Sequence, residues 1–352
     1  MTRTRRRRIF AVALTVIAVL GLLTAAVFLR MRAAPEPARL LPECDGVLYA
    51  NLKPLRTFTN FGKKPTAWAP EYRNFVEQTG FEFERDLDEI AFAIHTSPDP
   101  QHETRYSEVM VGRFNSTKVA EFLSRMARGR ESYRNREIFL IPYEDRIVRV
   151  TVLSVDMVAV SNTGDTVPIR HIIDEFRRSA FASSGPRLLG RYYRHVPFGS
   201  LAWLVTEVAP PQGIGGITPL PFIRQLFGGG VVVGSARYNG SVLLRAEDFL
   251  QDEAAAKDRA EQLQNLLTLY KTTEAQTRPD RPNPEMESAL NSLSVEQKAE
   301  RVLVNASIPR ALIEKMFETP AEPEPEAKPQ KPQSHRRHRK NRVIGPSGDR
   351  VK

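Results

Sequence analysis

Residues that usually announce chemistry are scarce in this chain. Of its 352 residues one is cysteine, two are tryptophan and six are histidine. A lone Cys44 can form no internal disulfide, redox pair or zinc cluster. The residues before it, Leu41-Pro42-Glu43, also lack the small side chains of a lipidation site, so a half-buried thiol at the start of a strand is expected. His95, His171 and His195 stand singly, without metal-ligand spacing. No Gly-x-x-x-x-Gly-Lys-Ser/Thr loop, His-Glu-x-x-His or Gly-x-Ser-x-Gly motif is present, and no Ser-x-x-Lys lies in a catalytic setting. The glycine groups 213–216 and 228–230 lack the helix start that a phosphate cradle needs. No catalytic, metal or cofactor-binding residue is assigned, and no cofactor is expected.

Long apolar runs are equally scarce, and the single example organises the chain. Arg3, Arg5, Arg6, Arg7 and Arg8 lead into residues 9–29, which hold no charge and no proline. At about 1.5 Å of rise per residue, a helix of that length crosses the roughly 30 Å hydrocarbon layer of a bilayer. The run is too long for the core of a cleaved signal peptide, so it reads as a transmembrane anchor. Five arginines before it and only Arg30 and Arg32 just after it place residues 1–8 in the cytoplasm by the positive-inside rule. The expected product is a single-pass inner-membrane protein with a periplasmic body.

The net charge of +10 and pI near 9.8 at first suggest a nucleic-acid partner. Residues 1–32 carry seven positive charges, and residues 321–352 carry nine positive and four negative, which leaves the body at −2. Basicity belongs to the two ends, so no nucleic acid is expected.

After a proline-punctuated spacer at 30–39, hydrophobic periodicity predicts an α+β body of two similar lobes, residues 40–185 and 186–319. Each is expected to hold antiparallel strands with helices packed on one face. Strands are expected at 46–52, 90–95, 107–114, 137–141, 147–154, 157–161, 200–208, 230–238, 241–246 and 299–307. Val119, Phe122, Leu123 and Met126 form one helical stripe capped by Asn115 or Ser116. Further helices are expected at 71–79, 166–178, 221–227, 252–271 and 285–293, with a last one opened by Pro309. Asn239-Gly240 marks a hairpin in which both turn residues would take positive φ.

Residues 320–352 are rich in proline and charge and almost devoid of apolar side chains, so they are expected to be disordered. Within them Arg336, Arg337, Arg339, Lys340 and Arg342 are the candidate contacts to an anionic envelope polymer or lipid headgroups. The carboxylates Glu84, Asp86, Asp88 and Glu89 form the densest acidic group, but interleaved Arg85 makes a solvated turn the better reading. The sequons at Asn115, Asn239 and Asn305 matter only in a host that glycosylates exported proteins.

Three stretches carry a resemblance: Leu41-Pro42-Glu43-Cys44-Asp45-Gly46-Val47-Leu48-Tyr49, Gly80-Phe81-Glu82-Phe83-Glu84-Arg85-Asp86-Leu87-Asp88, and Val111-Gly112-Arg113-Phe114. They resemble uncharacterised bacterial envelope proteins with one N-terminal membrane anchor. The resemblance implies a periplasmic α+β fold and supplies no substrate or catalytic residue. The expected role is binding or scaffolding in the cell envelope, with an envelope protein as a further partner. The aromatic segment from Phe58 to Phe83 and the loop at 210–221 are the expected contact surfaces. The alternative is an envelope-polymer hydrolase using carboxylates from separated strands.

Overall fold

The computed structural model describes residues 33–58, 69–96, 105–144, 146–178, 185–207, 230–277 and 284–316. The expected membrane span, the helix at 221–227, the 210–221 loop, both glycine groups except Gly230, and the C-terminal tail lie outside them. Among the described residues no helix is long and apolar enough to cross a membrane.

The body is a mixed α+β structure built on one sheet of twelve antiparallel strands, in the order β11-β12-β10-β9-β8-β1-β2-β3-β7-β6-β5-β4. The strands are β1 (Gly46–Asn51), β2 (Leu87–His95), β3 (Arg105–Gly112), β4 (Gly129–Tyr133), β5 (Arg136–Tyr143), β6 (Arg146–Val152), β7 (Met157–Ser161), β8 (Ala202–Thr206), β9 (Val231–Tyr238), β10 (Ser241–Phe249), β11 (Ser294–Lys298) and β12 (Arg301–Pro309). Strands from both predicted lobes therefore share one hydrogen-bonded sheet. They meet where β1 pairs with β8, Gly46 opposite Thr206 and Ala50 opposite Ala202. On each side of that seam a three-strand meander runs outward, a helix follows, and the chain returns so that its last strand pairs with the third: β7 with β3, and β12 with β10.

Helices lie on both faces of the sheet, a correction to the one-sided packing expected. On one face α1 (Glu36–Arg39), α6 (Val167–Arg177) and α7 (Arg187–Tyr192) cover the main core. Ile169, Ile172, Ile173, Leu188 and Leu189 there pack with Val47, Tyr49, Val109, Trp203 and Val233. The opposite face carries α5 (Ser116–Met126) near one end and α8 (Glu253–Thr277) near the other. Val119 and Leu123 of α5 pack on Val150, Val158 and Val160, and Ala256, Ala260 and Leu263 of α8 on Val302 and Val304. Strands such as β7, Met-Val-Ala-Val-Ser, are apolar on both sides and so need a cover on each. Between the two helices Leu48, Phe92 and Leu204 of the same cross-strand row stay half-buried.

Local chemistry explains most element ends. Asn115 Oδ1 accepts the Lys118 N–H at 3.1 Å, which forms the expected cap, and Asp252 Oδ1 accepts the Ala255 N–H at 2.8 Å at the start of the helix that follows β10. Gly80 ends α3 (Pro70–Thr79) in the left-handed conformation, φ +73°. The hairpin between β9 and β10 forms as expected, but among its turn residues only Gly240 has positive φ, +76°.

Candidate functional site

A cavity of about 940 Å³ opens on the face that carries α1 and α7. Its floor is one cross-strand row: Arg245 of β10 lies opposite Ser235, which lies opposite Trp203 of β8, itself opposite Tyr49 of β1. The side-chain period of two in a strand turns these residues to the same face. The wall is the segment after α7. Its 3-10 turn, Tyr193–His195, closes with the Val196 N–H donating to Tyr193 O at 2.9 Å. Gly199 at φ +77° and the Ser200 hydroxyl, donating to Pro197 O at 2.6 Å, then steer the chain back into β8. Ala33, Ala34 and Pro35 complete the rim.

Aromatic rings form the apolar half of this cavity. Tyr49 stacks on Trp203 with centroids 5.4 Å apart, and Tyr193 meets Trp203 edge-on at 5.2 Å. The Tyr49 hydroxyl donates to Glu89 Oε2 at 2.9 Å. Burial, and then the Glu89 charge, push its pKa far above the usual phenol value.

The polar half is organised around buried Glu247. Arg245 donates to its Oε1 from Nε at 3.0 Å and Nη2 at 2.5 Å, and Arg301 Nη1 donates to Oε2 at 3.0 Å. His195 Nδ1 lies 3.7 Å from Oε2. Burial lowers the His195 pKa; Glu247 opposes that shift and the neighbouring arginines add to it. At neutral pH a neutral imidazole therefore stands beside the carboxylate, and the contact is not an ion pair. Arg39 and Arg194 also line the space, so among the described residues the lining holds four arginines and one glutamate.

A second cavity, of about 740 Å³, lies on the other side of α7, with Glu43, Asp45, Glu207, His95, Arg187 and Arg191 around it. Asp45 Oδ2 accepts from the Thr96 N–H and hydroxyl at 2.8 and 2.6 Å. His95 Nε2 is 3.0 Å from Ser107 Oγ, and the chain of hydroxyls continues through Ser161 at 3.1 Å to Thr163 at 2.8 Å. This is not a nucleophile and base, because Ser107 is fully buried and no substrate reaches its oxygen. Burial pushes the Cys44 thiol beside it up to about 12, which makes it a poor nucleophile.

No family model matches the chain, and no curated protein matches it significantly. Among solved structures, crystal forms I and III of TP0453 are similar at 10% identity, with TM-scores of 0.43 and 0.42. They cover 80% of this chain, and the alignment spans 96% and 97% of theirs. At those TM-scores the likeness carries no inference about ligand or activity.

The tail residues Arg336, Arg337, Arg339, Lys340 and Arg342 lie outside the described residues. The acidic group is spent on structural contacts. Glu84 accepts from Tyr72, Asp88 from Arg56, and Glu89 from Tyr49. Burial alone would raise the Asp86 pKa, but hydrogen bonds from Arg85 and the Glu82 N–H, with the charges of Arg85 and Arg113, outweigh it and lower the value. Of the aromatic segment, Tyr72, Phe75, Phe81 and Phe83 pack with Phe114 and Phe122 into a small ring cluster beneath α5.

Two carboxyls escaped the sequence reading. Burial raises Glu108 on β3 to about 7 and Asp248 on β10 to about 6, with Arg259 opposing at Asp248. Both lie on the face opposite the cavity, five strand steps apart, which at about 4.8 Å per step is about 24 Å. A paired acid and base for glycoside hydrolysis stands roughly 5 to 10 Å apart, so these two are not such a pair. The cavity itself was missed because its residues come from positions as distant as 33 and 301. Only Tyr192-Tyr193-Arg194-His195, aromatic and basic together, hints at it in the sequence.

Proposed function

We propose that this chain is a membrane-anchored binding protein of the cell envelope, held by residues 9–29 with its body in the periplasm, and that the aromatic and arginine-lined cavity is its ligand site. One arrangement carries this reading. A buried carboxylate holds two arginines in place beside stacked rings at the floor of an open cavity, a preorganised mixture of charge and apolar surface suited to binding. Glu247 is tied by three hydrogen bonds from Arg245 and Arg301, which leaves it poorly placed to shuttle protons. The hydrolase alternative would draw instead on Glu43, Asp45 and Glu207 of the second cavity.

Two measurements test the reading. With Cys44→Ala and Ser347→Cys, a membrane-impermeant maleimide added to intact spheroplasts should label the tail, and alkaline carbonate should leave the protein in the membrane. Labelling only after lysis would overturn the topology. Native mass spectrometry of the gently solubilised protein should show a co-purifying small molecule that Trp203→Ala loses. An unchanged adduct in that variant would place the ligand elsewhere.

A further inference from the structure

We infer that the cavity takes an anionic amphiphile, a phosphate or carboxylate headgroup joined to an apolar chain, collected at the membrane surface. The inference rests on the binding role proposed above and goes further by naming the ligand chemistry.

Charge comes first. Among the described lining residues Arg194, Arg245 and Arg301 stand against one glutamate, Glu247, and a recess partly closed to water concentrates anions. Arg245 and Arg301 are held by Glu247, yet their side chains keep 38% and 35% of their exposure, so both can be reached from the cavity. Arg194 is exposed at the rim. Planar guanidinium groups fixed in this way match the paired oxygens of a phosphate or carboxylate.

Size and apolar surface come second. Inorganic phosphate would fill a small part of 940 Å³ and leave the half-buried Tyr193 and Val196 and the exposed Phe198 on its wall unused. Phe198 is 69% exposed, a large apolar side chain at the mouth of a charged recess. An acyl or similar chain laid along that wall covers it, while the headgroup meets the arginines.

Position comes third. Ala33, on the rim, is the fourth residue past the end of the expected span at 29. Four extended residues reach at most about 14 Å, and the headgroup layer of a bilayer is itself about 6 Å deep on each side. An anchored body thus holds this rim within reach of lipid headgroups.

The test uses the full-length Trp68→Phe protein in neutral detergent micelles, in which Trp203 is the remaining tryptophan. Phosphatidylglycerol with brominated acyl chains should quench Trp203 saturably, and brominated phosphatidylcholine should need at least about tenfold more for the same effect. Unbrominated phosphatidylglycerol should relieve the quenching, and 10 mM inorganic phosphate should not. Arg194→Ala, an exposed substitution, should raise the half-saturating phosphatidylglycerol fraction several-fold. Equal quenching by both lipids would overturn the anionic headgroup. Relief by inorganic phosphate would overturn the amphiphile and leave an anion-binding cavity standing. No quenching by either lipid, together with no adduct in the mass spectrometry above, would remove the binding role as well.

Discussion

Asp248 carries a clear pH signature. It is fully buried, and neither carboxylate oxygen has a hydrogen-bond partner among the described residues. Its neighbours in the sheet are Val232 and Val302, and burial outweighs the pull of Arg259, raising the pKa from 3.8 to about 6. A carboxyl whose folded pKa lies above its unfolded value keeps its proton better in the native state. The stability that Asp248 contributes is therefore fully present below about pH 4 and is lost as pH rises through about 6. Relative to Asp248→Asn, the wild-type protein should lose on the order of 3 kcal/mol between pH 4 and 7. Urea unfolding at a series of pH values checks this, and parallel curves for the two proteins would contradict it. Glu108, raised to about 7 by burial, shifts stability in the same direction one pH unit higher.

Helices and hairpins were legible where a local signal sufficed. The stripe of Val119, Phe122 and Leu123 gave α5, and Asn115 gave its first turn, because caps and 3.6-residue periodicity are properties of neighbours along the chain. Asn115→Ala should cost about 1 kcal/mol in thermal unfolding by leaving the Lys118 N–H without its acceptor. Strands β4 and β11 were missed: they are short, polar edge strands, Gly-Arg-Glu-Ser-Tyr and Ser-Val-Glu-Gln-Lys, without the apolar alternation that betrays a covered strand. The turn before β5 holds a missed cue, since Arg134 at φ +51° and Asn135 at φ +61° form a left-handed pair and asparagine tolerates that conformation. One close approach is set by glycine alone. A Cβ at Gly230 would sit 1.7 Å from Phe249 O, where β9 begins against the end of β10. Gly230→Ala should therefore destabilise the protein by about 3 kcal/mol or more, and a melting temperature within a degree of wild type would count against that packing.

At the scale of the whole molecule, sequence periodicity could name strands but not their order. Which strand pairs with which depends on side chains far apart in the chain, and it is the β1–β8 pairing that merges the two expected lobes into one sheet. Its main core draws on Val47 and Ile169 from one side and on Trp203 and Val231 from the other. Unfolding should therefore be a single event. In the Trp68→Phe protein, the urea midpoint from Trp203 emission should coincide with that from far-UV circular dichroism, and two separated midpoints would show the halves to be independent.

The central seam also sets a timetable for biogenesis. Gly46 waits for Thr206, and at roughly 5 to 20 residues per second that wait lasts on the order of 10 to 30 s during synthesis. Through that interval the nascent chain presents a raw strand flank and an unfinished greasy underside. Both stay uncovered until β8 arrives and the seam closes.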